Sequence, residues 1–235
     1  MFSNKFFKFL RRFYKSNPAA IIGSFIVASM ILLSVFAGAI AENDPTKRVA
    51  RGHQPPSAEL LLGSTRSGKD VFSQVLHGGK ISLLVAFSAA AITTVIAVAV
   101  GVSAGYFGGR VDEILMSTTN IVLVFPQLPL LIIIAAFVGQ VGPLVIALII
   151  GLSSWAWGAR VIRSQTMAVR NKEFVLAAEV MGESKLRIIF VEILPNLTSI
   201  VVGGAMGTCI YALMAEAGLE FLGLGDPTII TWGTM

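Results

Sequence analysis

Five long apolar runs alternate with short polar segments along the chain. The runs cover about residues 21–41, 81–107, 114–137, 144–161 and 193–217. Each is close to the roughly 20 residues that an α-helix needs to cross a membrane. The pattern therefore predicts an all-α, polytopic membrane protein with five spans. Pro126 and Pro129 lie inside the third run, where they predict a kink or break because proline removes a helical hydrogen bond.

The polar segments predict an orientation. The arm 1–20 carries five basic residues and no acidic one, which favours a cytoplasmic N-terminus. Segment 42–80 is then extracytoplasmic, and we expect extended chain with a short amphipathic helix. Residues 160–192 return to the cytoplasm with six basic residues, but 42–80 also holds six. The arm usually dominates, so we keep the cytoplasmic N-terminus.

The first run has two interpretations. Ala39-Ile40-Ala41 has the small-x-small form of a signal-peptidase site, but the run 21–41 is longer than a signal peptide's apolar region of about 7–15 residues. We interpret the run as an uncleaved first transmembrane helix.

Composition narrows the class of protein further. Of 235 residues, 55% are hydrophobic and 13% charged, which excludes a disordered chain and argues against an ordinary soluble enzyme. Cys209 stands alone, and His53 and His77 lack neighbours at metal-ligand spacing. No G-x4-G-K-[ST] phosphate-binding loop occurs. We expect no metal and no cofactor in this chain, and no catalytic residue.

The most informative stretch is 170–196. Glu173–Met181 predicts a short helix that Gly182 ends, and Ser184–Ile193 predicts a second helix that leads to a span starting near Pro195. A helix with a small-residue face can pack in a partner's cleft. From the residues alone, a solvated loop of mixed charge fits equally well.

This stretch resembles the cytoplasmic coupling motif of binding-protein-dependent ATP-binding-cassette (ABC) importers, E-A-A-x3-G-x9-I-x-L-P. Leu176 and Glu192 depart from that motif, which has Glu and Ile there. The resemblance implies that coupling segment 163–195 docks on the ATPase and that Glu173 or Glu179 replaces the missing acid. The docking residues it implies are Glu173, Ala177, Ala178, Glu179, Gly182, Glu183, Leu194 and Pro195.

Further motifs in the same order resemble the C-type permease subunit of dipeptide and oligopeptide importers. They are Leu62-Gly63, Gly68–Ser73, Gly78–Leu83, Ala104–Gly109, Phe125-Pro126, Ala215–Gly225 and Trp232-Gly233. The resemblance implies the transmembrane domain of a type I ABC importer, with core permease domain 81–235. Such permeases have a sixth span after the Trp-Gly stretch, so we expect a terminal helix that this sequence lacks.

The function that the resemblance implies is import by alternating access across a prokaryotic cell membrane. The expected partners are a second permease subunit, two ATPase subunits that hold ATP and magnesium, and an extracytoplasmic binding protein. Peptides are the expected solute, with oligosaccharides or nickel as alternatives. A secondary transporter is less favoured because the runs are nearly free of charge, and an intramembrane hydrolase because they lack paired catalytic groups.

Two further features lie within or beside the spans. Glu216 and Glu220 lie one helical turn apart, and intramembrane acids tend to face protein or water. The resemblance implies that this segment turns back near the outer mouth of the pathway, so we expect an outer gate with Phe221, Gly223 and Gly225, whereas solvation at the membrane surface is the simpler alternative. The patterns Gly101-x3-Gly105 and Gly203-x3-Gly207 allow close helix packing.

Overall fold

The computed structural model describes residues 17–140 and 142–235, and this part of the chain is helical without a β-strand. The five basic residues of the N-terminal arm lie outside the described residues. The helices are α1 (Pro18–Val35), α2 (Ala37–Ile40), α3 (Val71–Phe107), α4 (Gly109–Val124), α5 (Gln127–Val138), α6 (Pro143–Ser153), α7 (Trp155–Arg170), α8 (Glu173–Val180), α9 (Lys185–Arg187), a π-helical segment (Ile188–Ile193) and α10 (Leu194–Phe221).

The membrane-spanning pattern agrees with the sequence. Three helical stretches, Pro18–Val35, Val71–Phe107 and Lys185–Phe221, are long and apolar enough to cross a membrane. The pairs α4–α5 and α6–α7 meet the same test together, although they are bent by 82° and 44°. Counting each bent pair as one span gives the five predicted spans.

The two bends have different origins. The prediction of a break at Pro126 is confirmed, because α4 ends at Val124 and α5 begins at Gln127. The bend between α6 and α7 lies at Ser154, and the sequence analysis did not predict it. Here the Ser153 hydroxyl donates to the carbonyl oxygen of Ile149 at 2.7 Å, a bond that often bends helices.

Helix α3 begins at Val71, ten residues before the predicted span start at 81. The Asp70 carboxylate explains the early start, because it accepts hydrogen bonds from the Phe72 amide at 3.1 Å and the Ser73 hydroxyl at 2.6 Å. A side chain that satisfies free amides in this way favours a helix start. Residues 41–70 contain no helix, so the short helix expected in 42–80 is the first part of α3.

The chain divides into two compact units, and the first comprises the described residues up to Ile81 with Ile230–Gly233 and Met235. Gly79 allows close packing in this unit. A Cβ there would lie 2.3 Å from the Ser34 hydroxyl and 2.9 Å from the Trp232 ring. Trp232 also donates its indole N–H to the carbonyl oxygen of Val75 at 3.0 Å. Two of the motifs that carry the resemblance, at Gly79 and at Trp232, are thus in contact.

The second unit, Ser82–Ile229 with Thr234, contains two apolar cores. The first core joins α3, α5, α6 and α10 through fully buried residues such as Val85, Leu131 and Ile150. The second joins α3, α7, α8, the π-helical segment and α10, with Val175 and Ile193 at its centre. The second core therefore connects the short helix α8 to the spans.

Candidate functional site

Helix α8 is attached to the protein by one side only. It buries Val175 and Ala178, which are one turn apart, at 0% and 5% exposure. Most of its other side chains are exposed. Burial of a narrow stripe fixes the helix against the second core. The prediction of a helix from Glu173 is confirmed, and the structure ends it at Val180 rather than Met181.

Gly182 ends α8 as the sequence predicts. Its φ is +79°, a left-handed conformation that favours glycine. The Gly182 amide donates to Glu179 at 3.0 Å, and the Glu183 amide donates to Ala178 at 3.1 Å. These two bonds form a Schellman motif, which satisfies the last carbonyls of the helix. The chain therefore turns sharply and in a defined direction after α8.

The outer face of α8 and the turn after it is apolar. Val180 and Met181 are 89% and 76% exposed, and Phe174 and Leu176 are 42% and 48% exposed. An exposed apolar patch of this kind marks a site of protein or membrane interaction. Ala177 is also exposed, so it lies on this face, whereas Ala178 lies in the core.

Polar and cation–π contacts join α7, α8 and α9 to the end of α3. The Tyr106 hydroxyl donates to Glu179 Oε1 at 3.3 Å. The Arg170 guanidinium lies 5.7 Å from the centre of the Tyr106 ring, and the Lys185 ammonium lies 5.9 Å from that of Phe107. Such contacts stabilise by about 0.5–1 kcal/mol each at exposed sites. The Tyr106–Glu179 hydrogen bond adds to the apolar attachment between α8 and α3, and the two cation–π contacts hold the helices on either side of α8.

The three acidic residues of the predicted docking set have different surroundings. Glu179 accepts the Tyr106 hydrogen bond, and Glu183 pairs with Arg187 at 2.8 Å. Glu173 is exposed and makes no ion pair within residues 17–140 and 142–235. Of the two acids that the sequence offers in place of the missing Glu, Glu173 is therefore the one with an available carboxylate.

Leu194 and Pro195 lie where the π-helical segment meets α10. Leu194 packs against the second core, and Pro195 is exposed in the first turn of α10. Proline lacks an amide hydrogen and its ring clashes with the carbonyl four residues before it, which a wider π turn accommodates. The helix Lys185–Phe221 thus continues through Pro195 without a break.

The prediction of close packing at Gly101 and Gly105 is confirmed. A Cβ at Gly101 would lie 2.6 Å from the carbonyl oxygen of Ala159. A Cβ at Gly105 would lie 2.7 Å from both the Arg163 carbonyl oxygen and Thr166 Cβ. Real Cβ atoms do not approach backbone so closely, so α3 and α7 are in contact through these two glycines.

The second glycine pattern does not pack within this chain. Apart from the backbone of the same helix and the adjacent residues, no atom of residues 17–140 and 142–235 lies within 4 Å of a Cβ built at Gly203, Gly204 or Gly207. These glycines instead line a cavity of about 620 Å³ between α3, α5, α7 and α10. The expectation of close packing at Gly203 and Gly207 is therefore wrong inside the chain.

The cavity has an uncharged lining with a few polar groups. Gln127 donates to the Ser154 hydroxyl at 2.6 Å on one wall. The buried Tyr211 hydroxyl has no hydrogen-bond partner among the described residues. Sequence reasoning missed this site because its residues come from four helices; Gln127 beside the predicted break was its one local signal. The lining residues are Thr93, Thr94, Ala97, Gln127, Ser154, Trp157, Gly158, Val161, Ile162, Ile200, Val201, Gly203, Gly204, Ala205, Gly207, Thr208 and Tyr211.

The two acids of the predicted gate are buried, so simple solvation does not describe them. Glu216 is 1% exposed and accepts the Ser82 hydroxyl at 3.0 and 3.1 Å. Glu220 is 7% exposed and lies over Gly225, where a Cβ would be 2.8 Å from Glu220 Cγ. Buried carboxyl groups require such polar partners.

The other two residues of that set have separate surroundings. Gly223, with φ +76°, ends α10 in a second Schellman motif, and Phe221 is 85% exposed. The structure brings Glu220 and Gly225 together but places Phe221 on the outside.

Comparison with known proteins identifies the family. Residues 97–233 match the binding-protein-dependent transport system inner membrane component, and residues 6–56 match the N-terminal transmembrane domain of oligopeptide transport permease C. The chain is 32% identical to the oligopeptide transport system permease protein OppC of Bacillus subtilis, over 94% of this chain and 73% of that protein.

Two dipeptide transport system permease proteins, both named DppC, are similarly related. The protein from Bacillus subtilis is 33% identical over 94% of this chain and 69% of its own length. That from Alkalihalophilus pseudofirmus is 36% identical over 94% of this chain and 73% of its own length. The chain therefore belongs to the family of binding-protein-dependent transport system inner membrane components, among the permeases of peptide ABC importers.

Proposed function

We propose that this chain is one of two permease subunits of an ATP-driven importer that moves peptides into a prokaryotic cytoplasm. ATP, with magnesium, is bound and hydrolysed in two partner ATPase subunits, and an extracytoplasmic binding protein delivers the solute. The N-terminus is cytoplasmic. Because four spans lie between it and α8, α8 is also on the cytoplasmic side, where the ATPases are. The observation that carries the proposal is the exposed apolar face of α8, next to a core that connects α8 to three spans.

The coupling step follows from the attachment of α8. Its outer face, with Phe174, Ala177, Val180 and the Glu173 carboxylate, docks in a cleft of the ATPase. Its inner face, through Val175 and Ala178, moves with the second core. A partner can shift an equilibrium between two conformations only if it binds them with different affinity. When the ATPases close, α8 therefore changes position as a rigid body and the spans alternate between inward- and outward-facing arrangements.

The cavity is proposed as this chain's share of the translocation pathway. Glycines 203, 204 and 207 leave its α10 wall smooth, which lets solutes of varied shape pass without tight binding. The names of the relatives favour peptides over nickel as the solute. The buried pair Glu216 and Ser82, with Glu220, serves as the proposed outer gate.

Docking of α8 is tested by placing charge on its exposed face. The double variant Val180→Glu/Met181→Glu leaves the core untouched, so the permease folds but loses the ATPase subunits on affinity purification from membranes. A matched control, Leu61→Glu/Leu62→Glu, changes two adjacent apolar side chains that are 58% and 49% exposed in the loop before α3. The control retains the ATPases. Normal ATPase recovery and peptide uptake with the α8 variant would contradict the proposal.

A further inference from the structure

We propose that the cavity contains a subsite for the C-terminal carboxylate of a peptide, at the point where the two bent spans are broken. The inference rests on the proposed function, which makes the cavity part of the translocation pathway. It names the chemical group of the solute that this chain holds in transit and the side chains that hold it.

The two breaks meet in one wall of the cavity. Helix α5 begins at Gln127 and helix α7 at Trp155, each after a break within a span. The side-chain amide of Gln127 donates to the Ser154 hydroxyl at 2.6 Å, so the breaks are directly joined. Gln127 lines the cavity together with Ser154 and Gly158 from the beginning of α7. The starts of both helices therefore lie in the same wall.

The start of a helix attracts negative charge. Its first amide groups have no acceptor within the helix, and the aligned peptide dipoles add up to a partial positive charge there. A side-chain cap often satisfies these amides, but within the described chain neither α5 nor α7 has one. Ser154 occupies the cap position of α7, yet its hydroxyl bonds to Gln127 instead. Two uncapped helix starts in one wall favour an anion beside them.

The polar side chains of the cavity also have hydrogens left for a ligand. Gln127 gives one amide hydrogen to Ser154. Its second amide hydrogen and the Ser154 hydroxyl hydrogen have no acceptor among residues 17–140 and 142–235. Tyr211 lines the same cavity from α10, and its buried hydroxyl has no partner in this part of the chain. Polar groups without a partner destabilise a protein, so the cavity favours a ligand that accepts hydrogen bonds.

The lining selects the carboxylate end of a peptide over its ammonium end. None of the described residues that line the cavity is acidic, so an ammonium group has no counter-charge there. The helix starts and the unused hydrogens all favour a negatively charged acceptor. Every linear peptide with a free C-terminus carries this carboxylate, whatever its side chains. A subsite for it therefore suits solutes of varied sequence.

The subsite holds its ligand transiently. The described lining has no cation either, so dipoles and neutral donors hold the carboxylate without an ion pair. A pathway needs sites that bind solute well enough to admit it and weakly enough to release it. Gly203 and Gly207 on the α10 wall add no side chain that would retain the solute. The peptide is thus oriented by its carboxylate at the wall formed by α5 and α7.

The test measures uptake of a radiolabelled dipeptide and of its C-terminal amide by proteoliposomes that contain the full importer. ATP is enclosed, and the cognate binding protein is added outside. The dipeptide is one whose amide also stimulates wild-type ATP hydrolysis, so the binding protein delivers both forms. Gln127→Glu keeps the side-chain size and an acceptor for the Ser154 hydroxyl but adds negative charge. We expect it to lower uptake of the acid about tenfold, the effect of one hydrogen bond to a charged group, and uptake of the amide less than about twofold.

A second variant separates binding from a structural role. Gln127→Leu removes the hydrogen bond to Ser154 without adding charge, and we expect it to lower uptake of the acid less than Gln127→Glu does. If Gln127 only joined the two helices, Glu would keep that bond and be tolerated better than Leu. Thr118→Val is the control, because it removes an exposed hydroxyl of α4 that donates to the Ile114 carbonyl at 3.0 Å, outside the cavity. It takes up both forms at the wild-type rate.

The outcomes separate the two proposals. Unchanged uptake of the acid by Gln127→Glu, an equal loss of acid and amide, or a greater loss with Leu than with Glu overturns the subsite but leaves the importer in place. If the wild type takes up neither form with ATP and the binding protein present, the proposed function fails and the subsite with it.

Discussion

The two glycine pairs of this chain have the same sequence spacing and opposite surroundings. Gly101 and Gly105 lie against α7, with backbone oxygens 2.6 and 2.7 Å from where a Cβ would be. Gly203 and Gly207 lie on the wall of the cavity, where a Cβ would have no described atom from outside its own helix within 4 Å. Small residues thus permit close approach of helices but do not require it. On α3 they allow packing, and on α10 they leave space.

The largest expected effect comes from filling the packed pair. The double variant Gly101→Val/Gly105→Val forces α3 away from α7, and overpacking of this kind costs about 1–3 kcal/mol or more per site. We expect loss of the assembled importer, or a large fall in its unfolding temperature in detergent. Gly203→Val/Gly207→Val is the matched control, because it adds the same side chains where no described atom outside the helix lies within 4 Å of the new Cβ, and we expect its unfolding temperature to stay close to that of the wild type. Equal stability of the two variants would contradict the conclusion that Gly101 and Gly105 are closely packed and that Gly203 and Gly207 are not.

Filling the open pair should affect transport and not folding. Gly207→Leu places its Cβ where no described atom outside the helix lies within 4 Å and extends its side chain into the cavity, so we expect stability to stay within about 0.5 kcal/mol of the wild type. If the cavity is the pathway, uptake of a radiolabelled dipeptide by cells falls at least about tenfold, since each 1.4 kcal/mol of added barrier is tenfold in rate. Normal uptake with unchanged folding would show that solutes pass elsewhere.

A smaller effect on stability is expected at Asp70, which is 3% exposed. Burial would raise the pKa of Asp70, but hydrogen bonds from Ser73, Asn43 and the Phe72 amide outweigh burial and lower it. A lowered pKa means that the ionised carboxylate stabilises the fold above the unfolded-state pKa of about 4. Asp70→Asn should therefore cost about 1–2 kcal/mol at neutral pH.

Measuring unfolding of Asp70→Asn against pH tests the cause of this cost. The difference from the wild type should shrink as the pH falls below about 4 through the folded-state pKa. A difference that is the same at every pH would mean that the charge of Asp70 is not involved.

The smallest effect on stability is expected for a hydroxyl group in the cavity wall. Tyr211→Phe removes a buried hydroxyl without a partner among the described residues, so stability is unchanged or rises slightly. Thr93→Val removes a hydroxyl that donates to Gly151 at 3.1 Å and should cost about 1 kcal/mol. The free energy of unfolding of both variants, measured by chemical denaturation, tests this comparison. A substantial loss at Tyr211 alone would show that its hydroxyl is satisfied in the assembled protein.

Sequence patterns were sufficient for features that depend on neighbouring residues. The apolar runs predicted the spans, Pro126 predicted the break, and Gly182 predicted the end of α8. Features that depend on distant residues were missed. The cavity needs four helices to come together, and the early start of α3 needs the Asp70 carboxylate to cap polar residues that the hydropathy pattern assigned to a loop.

The glycine pairs show the same limit most clearly. Gly101-x3-Gly105 and Gly203-x3-Gly207 have the same spacing, so the sequence predicted close packing for both. Whether a helix packs against each pair depends on the tertiary fold, which the spacing does not contain. The burial of Glu216 is similar, since Ser82 lies far from it along the chain.

The π-helical segment before Pro195 also fixes how α8 is oriented. Ile188, Ile189 and Ile193 all face the second core, and the chain between them forms a π-helix, whose turns are wider than those of an α-helix. The segment thus accommodates one residue more than an α-helical path over the same distance. Deleting a single residue there would rotate everything before it by about 100° relative to α10. The direction in which α8 faces is therefore encoded by a residue count. In the proposed importer, a one-codon deletion in this segment would turn α8 away from its ATPase without altering the side chains of α8.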